Sequence, residues 1–306
     1  MGIIKIMWNN RFLVLLLTVI FMPLNAAFAG KIGVMMTGDI PYYQHIHQAF
    51  VDSISKEGHE IVLQKPVPDP MSWTNTARKL TTIGSQVIVT YGVPATLTTM
   101  KVTSDIPIVF AGVYDPESMG LTGKNATGIS STVSVEMVLK KMNEISKLSN
   151  VAVILSKAEK DSILQAKIIK SSESSLGFTS TLISVTDKVE KSQISGVNAI
   201  LVTTCSTGMM NIKDIIESGR NSRILTAAMI GGGENDGVIL TVAANPEEQG
   251  KELAGMVSKV LGGASPSQIP FKNPTKVEII LNLKEAAAIG IDIPANIKSS
   301  ATKVIE

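Results

Sequence analysis

Apolar and polar positions along the chain follow two alternating patterns. Short, nearly continuous apolar runs are separated by stretches where apolar residues return every third or fourth position. The first run is Lys31-Ile-Gly-Val-Met-Met36, followed by Thr-Gly-Asp. A run apolar on both faces suits a strand buried inside a parallel sheet. Pro41 opens a predicted helix that Gly58 stops near residue 57. A strand over 59–64 follows. Asp69-Pro70 then starts a helix, with Asp as N-cap and Pro at the first position. A strand over 86–90 leads through Tyr91-Gly-Val-Pro-Ala-Thr96 into another helix, and 106–111 is a fourth strand. The pattern then restarts. Helices are predicted over 135–148, 159–173 and 207–219, with a short one over 187–195. The strands between them are 150–155, 179–184, 199–203, 223–228 and 238–243. An amphipathic helix over 247–261 carries Glu247 and Glu248 in its first turn and ends at Gly262-Gly263. A strand over 276–282 and a helix over 283–290 complete the set. Alternation of this kind predicts right-handed crossovers and parallel sheets. Two successive units predict an α/β fold of two doubly wound lobes. Segment 121–134, rich in Gly, Ser and Thr, reads as a hinge strand between them. The cleft between the sheet ends is where such folds bind ligands.

Composition narrows the function. The chain of 306 residues has 28 Lys+Arg against 26 Asp+Glu, one Cys and three His. There is no basic field for nucleic acid, and aromatics at 4% argue against a base-stacking platform. A single cysteine excludes a disulfide within the chain and a Cys-rich zinc site. Near the N-terminus, Lys5 and Arg11 precede an apolar run of 13 residues from Phe12 to Leu24, too short to span a bilayer, which needs roughly 20 residues. The run ends in Asn25-Ala-Ala27-Phe28-Ala29, a small-x-small pattern. Residues 1–29 therefore read as a signal peptide cut after Ala29, the competing reading being an uncleaved anchor. Removing it leaves basic and acidic residues equal in number. The mature chain is expected to be soluble and extracytoplasmic, periplasmic or otherwise. Catalysis finds no motif: no Gly-x-Ser-x-Gly elbow occurs. No enzyme activity and no cofactor are expected.

The C-terminal part carries a resemblance. Gln249-Gly-Lys-Glu-Leu-Ala-Gly255, Leu261-Gly-Gly263 and Ile269-Pro-Phe271 precede Leu281-Asn-Leu-Lys-Glu-Ala286 and Ala288-Ile-Gly-Ile-Asp-Ile-Pro294. Gly92-Val-Pro-Ala95, Ile106-Pro-Ile-Val-Phe-Ala111 with Asp115-Pro116, and Thr127-Gly-Ile-Ser130 fit the same pattern. Over nearly all of 30–306 the chain resembles the exported substrate-binding proteins of ABC transporters, in the family with tryptophan- and phenylalanine-binding members. The resemblance implies a type I periplasmic-binding-protein fold: two Rossmann-like lobes, three crossovers and a ligand closed between them. It orders the chain as an N-terminal lobe of 30–128 plus 246–275 and a C-terminal lobe of 129–245 plus 276–306. The crossovers fall near 127–130, 243–246 and 271–275. It also implies a small polar ligand, such as an amino acid with an aromatic side chain, and an ABC permease of the inner membrane as partner. A monomer is expected. The alternative is a sensor protein that docks on a membrane signalling receptor; a third reading is an exported enzyme on the same fold.

Candidate ligand-binding residues lie at strand ends. Tyr91, Pro94, Ala95 and Thr96 form a strand-to-helix turn whose amides and dipole suit an α-carboxylate, with Thr96 donating its hydroxyl. The plainer reading is an ordinary capped turn. Thr204, Cys205, Ser206 and Thr207 form the matching turn in the second lobe. Family members often carry an acid there that could hold a ligand ammonium; this chain has Cys205, which departs from that pattern. Thr37 and Asp39 with Tyr42 follow the first strand, where Asp39 could meet an ammonium or cap the helix. Trp73 either overhangs the cleft or packs against its lobe. Tyr114 and Asp115 follow the fourth strand. Ser130 lies at the expected hinge. Glu234 follows Gly231-Gly-Gly233, which lacks phosphate-loop spacing, and faces the ligand or the hinge. His45 and His47 lie two apart and so on different helix faces, which argues against a metal.

Overall fold

The computed structural model describes residues 30–306 except 122, 124, 187, 188, 190 and 221. The expected signal peptide, and Asp187 at the start of the short helix expected over 187–195, lie outside the described residues. A 3-10 turn occupies Lys191–Ile194.

The chain begins β1 (Lys31–Met36), α1 (Pro41–Ile54), β2 (Glu60–Gln64), α2 (Pro70–Thr82), β3 (Val87–Tyr91), α3 (Val93–Val102), β4 (Ile108–Val113) and β5 (Ala126–Ser130). It continues with α4 (Val135–Ile145), β6 (Asn150–Leu155), α5 (Lys160–Ser171), a one-turn α6 (Glu173–Leu176) and β7 (Thr179–Ser184). Then come β8 (Ala199–Val202), α7 (Ser206–Met210), α8 (Ile212–Arg220), β9 (Leu225–Ala228) and β10 (Leu240–Ala244). Last are α9 (Pro246–Leu261), β11 (Val277–Asn282), α10 (Leu283–Ala288), α11 (Ala295–Ser300) and β12 (Lys303–Ile305).

The α/β class of two Rossmann-like sheets is observed. One sheet has the order β2-β1-β3-β4-β5, all parallel. The other runs β12-β11-β10-β9-β8-β6-β7. It departs from the expected all-parallel form at β11, which pairs antiparallel to β10 because the chain returns to this sheet from outside it. The final strand β12, parallel to β11, had no counterpart in the sequence reading; only three residues long and mostly exposed, it carries no apolar run to betray it. The helix expected over 207–219 is two helices, α7 and α8, broken at Asn211.

Strands β3 and β4 are buried along their whole length, as their apolar runs require. Asp69 caps its helix as expected, and Asn245 caps α9. Asp69 Oδ1 accepts from the amides of Met71 and Ser72, both at 2.9 Å. Asn245 Oδ1 accepts from Glu248 N at 2.7 Å, with Pro246 in the first turn. Satisfying otherwise orphaned amides in this way is typically worth about 1 kcal/mol.

Three segments run between the sheets. After β5 the chain enters α4, whose buried face packs with β6 and β8. After β10 it enters α9, which packs on α1 of the first sheet. Lys272 then bonds to β5 through Gly128 O and its own carbonyl to Ser130 N, before β11 rejoins the second sheet. Tyr42 ties this region together. Its hydroxyl donates to Ala244 O at 2.9 Å and accepts from Gln249 Nε2, while Gln249 Oε1 accepts Gly112 N at 2.7 Å.

The α1–α9 contact is close because Gly250 has no side chain. A Cβ there would meet the Ile46 carbonyl, Ala49 Cβ at 2.5 Å and Phe50 N at 2.7 Å. Gly250→Ala is expected to destabilise the protein by about 1–3 kcal/mol in urea unfolding, the usual cost of overpacking. An unchanged midpoint would contradict this packing.

Candidate functional site

Both sheets repeat one strand order. In the first it is 2-1-3-4-5. In the second, β7-β6-β8-β9-β10 is the same sequence of positions. Such a sheet reverses direction beside its first strand, and the loops leaving the carboxyl ends there diverge to form a crevice. In the first sheet those loops are Thr37–Asp39 after β1 and the turn from Tyr91 after β3. In the second they are Ser156–Glu159 after β6 and Thr203–Cys205 after β8. The two sets face each other. Helix α3 packs against α5, and a Cβ built on Gly38 would lie 3.1 Å from Ser206 Cβ. The cleft is closed.

The second-sheet side of this seam holds a buried acidic cluster. Glu159 has no solvent exposure and Asp161 has 1%. Glu159 accepts from Ser206 N at 3.0 Å, Thr207 N at 3.2 Å and the Thr207 hydroxyl at 3.3 Å. Asp161 Oδ2 accepts from the Thr204 hydroxyl at 3.0 Å. Gln165, one turn further along α5, accepts Thr204 N through Oε1 at 2.8 Å. Asp161 Oδ1, Gln165 Nε2, Ser206 Oγ and Ser131 Oγ are buried with no hydrogen-bond partner among the described residues. Neither carboxylate forms an ion pair with a described Lys, Arg or His.

Burial, with these two carboxylates, shifts several titratable groups here. Burial raises Glu159 above the usual carboxylate range, against the bonds from Ser206 and Thr207. Burial, and then the Glu159 charge, push Asp161 up to about 7. The Cys205 thiol and the Tyr43 hydroxyl are raised by burial and by the same two carboxylates. Burial pushes Tyr114 to about 12, with Asp115, Glu136 and Asp161 adding to it. The cluster is a pocket of negative potential. Among the described residues no group of three or more His, Cys, Asp or Glu is placed to hold a metal ion.

The residues singled out from the sequence divide into three sets. Thr204, Cys205, Ser206 and Thr207 join the acidic cluster; Cys205 caps α7 through a contact from Gly208 N to Sγ at 3.1 Å. Tyr114 is buried within electrostatic reach of Asp161. Across the seam, Thr37, Tyr91, Pro94, Ala95 and Thr96 form the α3 turn, where the donors of Ala95 and Thr96 are engaged within the turn. Thr37 Oγ1 donates to Tyr91 O at 2.8 Å and accepts Ala95 N at 3.2 Å, replacing the missing cap of α3. Thr96 Oγ1 donates to Gly92 O at 2.8 Å and lies 2.8 Å from Thr90 Oγ1, so its one proton is engaged within its own half here, where a donation to a ligand was expected. The Tyr91 hydroxyl pairs with His47 Nδ1 at 3.0 Å, on the α1 side of the strand.

The third set lies elsewhere. Asp39 is on the surface, where it accepts from Gln44 and pairs with Lys65 at 2.9 Å; it does not cap α1. Tyr42 belongs to the network between the sheets. Asp115 sits at φ 46° and braces its own turn by accepting Ser118 N at 3.1 Å. The Ser130 hydroxyl donates to Asn273 Oδ1 at 2.8 Å. Both Glu234 carboxylate oxygens accept Gly232 N, which closes the glycine loop. Trp73 is buried and donates to Thr37 O at 2.7 Å, so it packs within its own half.

Glu159, Asp161 and Gln165 escaped the sequence reading. The apolar runs mark the strands, but the loop after β6 opens a helix without a turn motif. The repeat of the strand order would have found it: Ser156–Glu159 occupies the place that Thr37–Asp39 occupies in the first sheet.

A family model described as ABC transporter substrate binding protein matches residues 31–305. Among curated protein sequences none matches. Solved structures share the fold. An ABC domain in complex with L-Trp from Streptococcus pneumonia superposes with a TM-score of 0.84 at 22% identity, covering 90% of this chain and 99% of that one. A conserved domain protein from Vibrio cholerae gives 0.83 at 20%, with the same coverage. The ligand-free, open form of a Clostridium difficile substrate binding protein with adhesive properties gives 0.64 at 23%, again covering 90% and 99%. The architecture is that of type I periplasmic binding proteins.

The bonding of Thr96 leads to a clear expectation. Thr96→Ala removes a buried hydroxyl that pairs within its own half, so it should lower stability by about 1–2 kcal/mol. Ligand affinity measured by calorimetry should stay within about twofold; a larger loss would return Thr96 to the binding surface.

Proposed function

Because the chain belongs to the ABC transporter substrate-binding protein family, we propose that it closes on a small ligand bearing an ammonium group and delivers it to the permease of an ABC importer. The family consists of binding proteins, not enzymes, and works outside the cytoplasm. The observation that carries the choice of ligand is the pair Glu159 and Asp161, buried at the seam without a described cation, with Asp161 Oδ1 unpartnered. An isolated buried carboxylate is costly, and one that meets a cation with good geometry is not. A ligand ammonium on Asp161 Oδ1 supplies that cation.

An α-amino acid is the ligand class we favour, an aromatic one included. The L-Trp bound to the Streptococcus structure supports this class without extending to this chain's own preference. The absence of an acid at Cys205 ceases to count against it, since the acids come from the neighbouring loop. We also read 30–128 plus 246–275 and 129–245 plus 276–306 as the moving lobes. Their hinges would lie near 127–130, 243–246 and 271–275, with residues 1–29 as the export signal. Contacts of one ligand with both lobes favour the closed state over the open one, which is how binding becomes a signal to the permease.

A thermal-shift screen against amino acids, amines, small carboxylates and purines tests the reading. A ligand at 100 times its Kd should add about 2.7 kcal/mol of stability. Asp161→Asn should weaken binding of that ligand by about 1.5–3 kcal/mol. The pH sign follows from Asp161, raised to about 7 without ligand. Below that pH the carboxyl is protonated and must lose its proton to accept an ammonium, so affinity should fall as pH drops from 8 to 5.5. Binding confined to carboxylates or purines, or unaffected by Asp161→Asn, would refute the ammonium assignment.

A further inference from the structure

We propose that Gln165 is the specificity-determining residue of this site, its Nε2 group donating to a hydrogen-bond acceptor that the ligand carries beside its ammonium. The proposal rests on the ammonium reading above and narrows it: both halves of a zwitterionic head would be read on one helix, α5. Gln165 has no solvent exposure, and its Nε2 has no partner among the described residues. The orientation of the amide is set by its other end. The Oε1 atom accepts the Thr204 backbone N–H at 2.8 Å, so the donor must be the atom left over. Asp161 and Gln165 stand four residues apart, on one face of α5, and both reach the Thr204 hydroxyl, at 3.0 and 3.2 Å. That arrangement presents an anionic acceptor and an amide donor side by side. A buried donor left unpaired is unfavourable, and a ligand acceptor would relieve it.

Other donors for the acceptor are the Ser206 and Ser131 hydroxyls, also unpartnered among the described residues but free to rotate, and the α3 turn opposite. Its Ala95 amide is held by Thr37, and its Thr96 amide and hydroxyl both go to Gly92 O. Those donors would have to break existing bonds to serve a ligand, whereas Gln165 Nε2 breaks none. A simple amine would satisfy Asp161 and leave Gln165 unpaired. An amino acid satisfies both. Sites built around a polar contact reject analogues that lack it more strongly than apolar pockets reject a size change.

Calorimetry with matched pairs tests this: L-tryptophan against tryptamine, L-phenylalanine against phenethylamine, L-leucine against isoamylamine. In the wild type the amino acid of the binding pair should be preferred by about 10- to 100-fold. Gln165→Glu keeps the acceptor for Thr204 N–H and replaces the donor with an anionic oxygen. It should abolish the preference, lowering amino-acid affinity while amine affinity holds or rises. Gln165→Met, similar in volume and unable to donate, should lose the preference as well, and thermal melts of both variants establish that they fold. If both ligands weaken equally, Gln165 only positions the Thr204 loop and the proposal fails. If the wild type binds amine and amino acid alike, the Gln165 assignment fails while the Asp161 reading stands. If no amine or amino acid binds, the ammonium reading itself is overturned, and this proposal with it.

Discussion

Two carboxylates without a counter-charge govern how the halves of this protein meet. Glu159 and Asp161 lie where the second sheet reverses its strand order, and both are buried from water. The amides of Ser206 and Thr207 with the Thr207 hydroxyl stabilise Glu159, and the Thr204 hydroxyl with the amides of Asp161 and Ser162 stabilises Asp161. That is too little for two like charges in a dry seam, and both groups are held above their ordinary range. The first-sheet turn opposite is largely bonded within itself, while Gln165 Nε2, Ser206 Oγ and Ser131 Oγ share the want of a partner among the described residues. The α3 turn is capped by Thr37, Trp73 is tied to the same strand end, and Cys205 is a small buried cap. The cost of closure is therefore concentrated in one place, where a cation of molecular size can remove it.

This arrangement separates the parts that hold the fold from the parts that respond. The Tyr42–Gln249–Gly112 network and the Gly250 contact join α1, α9, β4 and the end of β10 through neutral groups whose bonds are all made. Ser130 with Asn273 and Asn245 with Glu278 bind the connecting segments to one another. These contacts need no ligand. Most of the unsatisfied atoms, Thr241 Oγ1 within β10 excepted, gather beyond the carboxyl ends of the strands. A binding protein requires this division, since its ligand must supply the missing part of the closed state's free energy.

Much of the fold was legible in the sequence because burial on both faces leaves a continuous apolar run. Strands β1, β3, β4, β6 and β8 each show one, and the cap Asp69 declares the helix that follows it. The misses have physical causes. Strand β12 is a short edge strand with two exposed residues of three, so periodicity had nothing to register. Residues 207–219 keep helical periodicity across the break at Asn211, which turn geometry and not hydropathy decides. The site was less legible. Thr204 to Thr207 were singled out from their position at a strand end, and they lie beside the buried acids. Thr96 and Glu234 have the right chemistry, but neighbours absorb it: a hydroxyl on Gly92 O, a carboxylate on Gly232 N. Only the three-dimensional bonding shows which polar atoms are left over.

The most direct test of the central claim is the distance between the two halves in the absence of ligand. Fluorophores on cysteines introduced at the exposed positions Thr82 and Lys298 report it by single-molecule energy transfer. If the uncompensated acids oppose closure, the ligand-free protein should be mostly open at pH 8. It should shift toward the short distance at pH 5.5 or on Asp161→Asn, each of which removes charge without adding ligand. A distance distribution unchanged by either would contradict the account, because closure would then be indifferent to the charge buried at its seam.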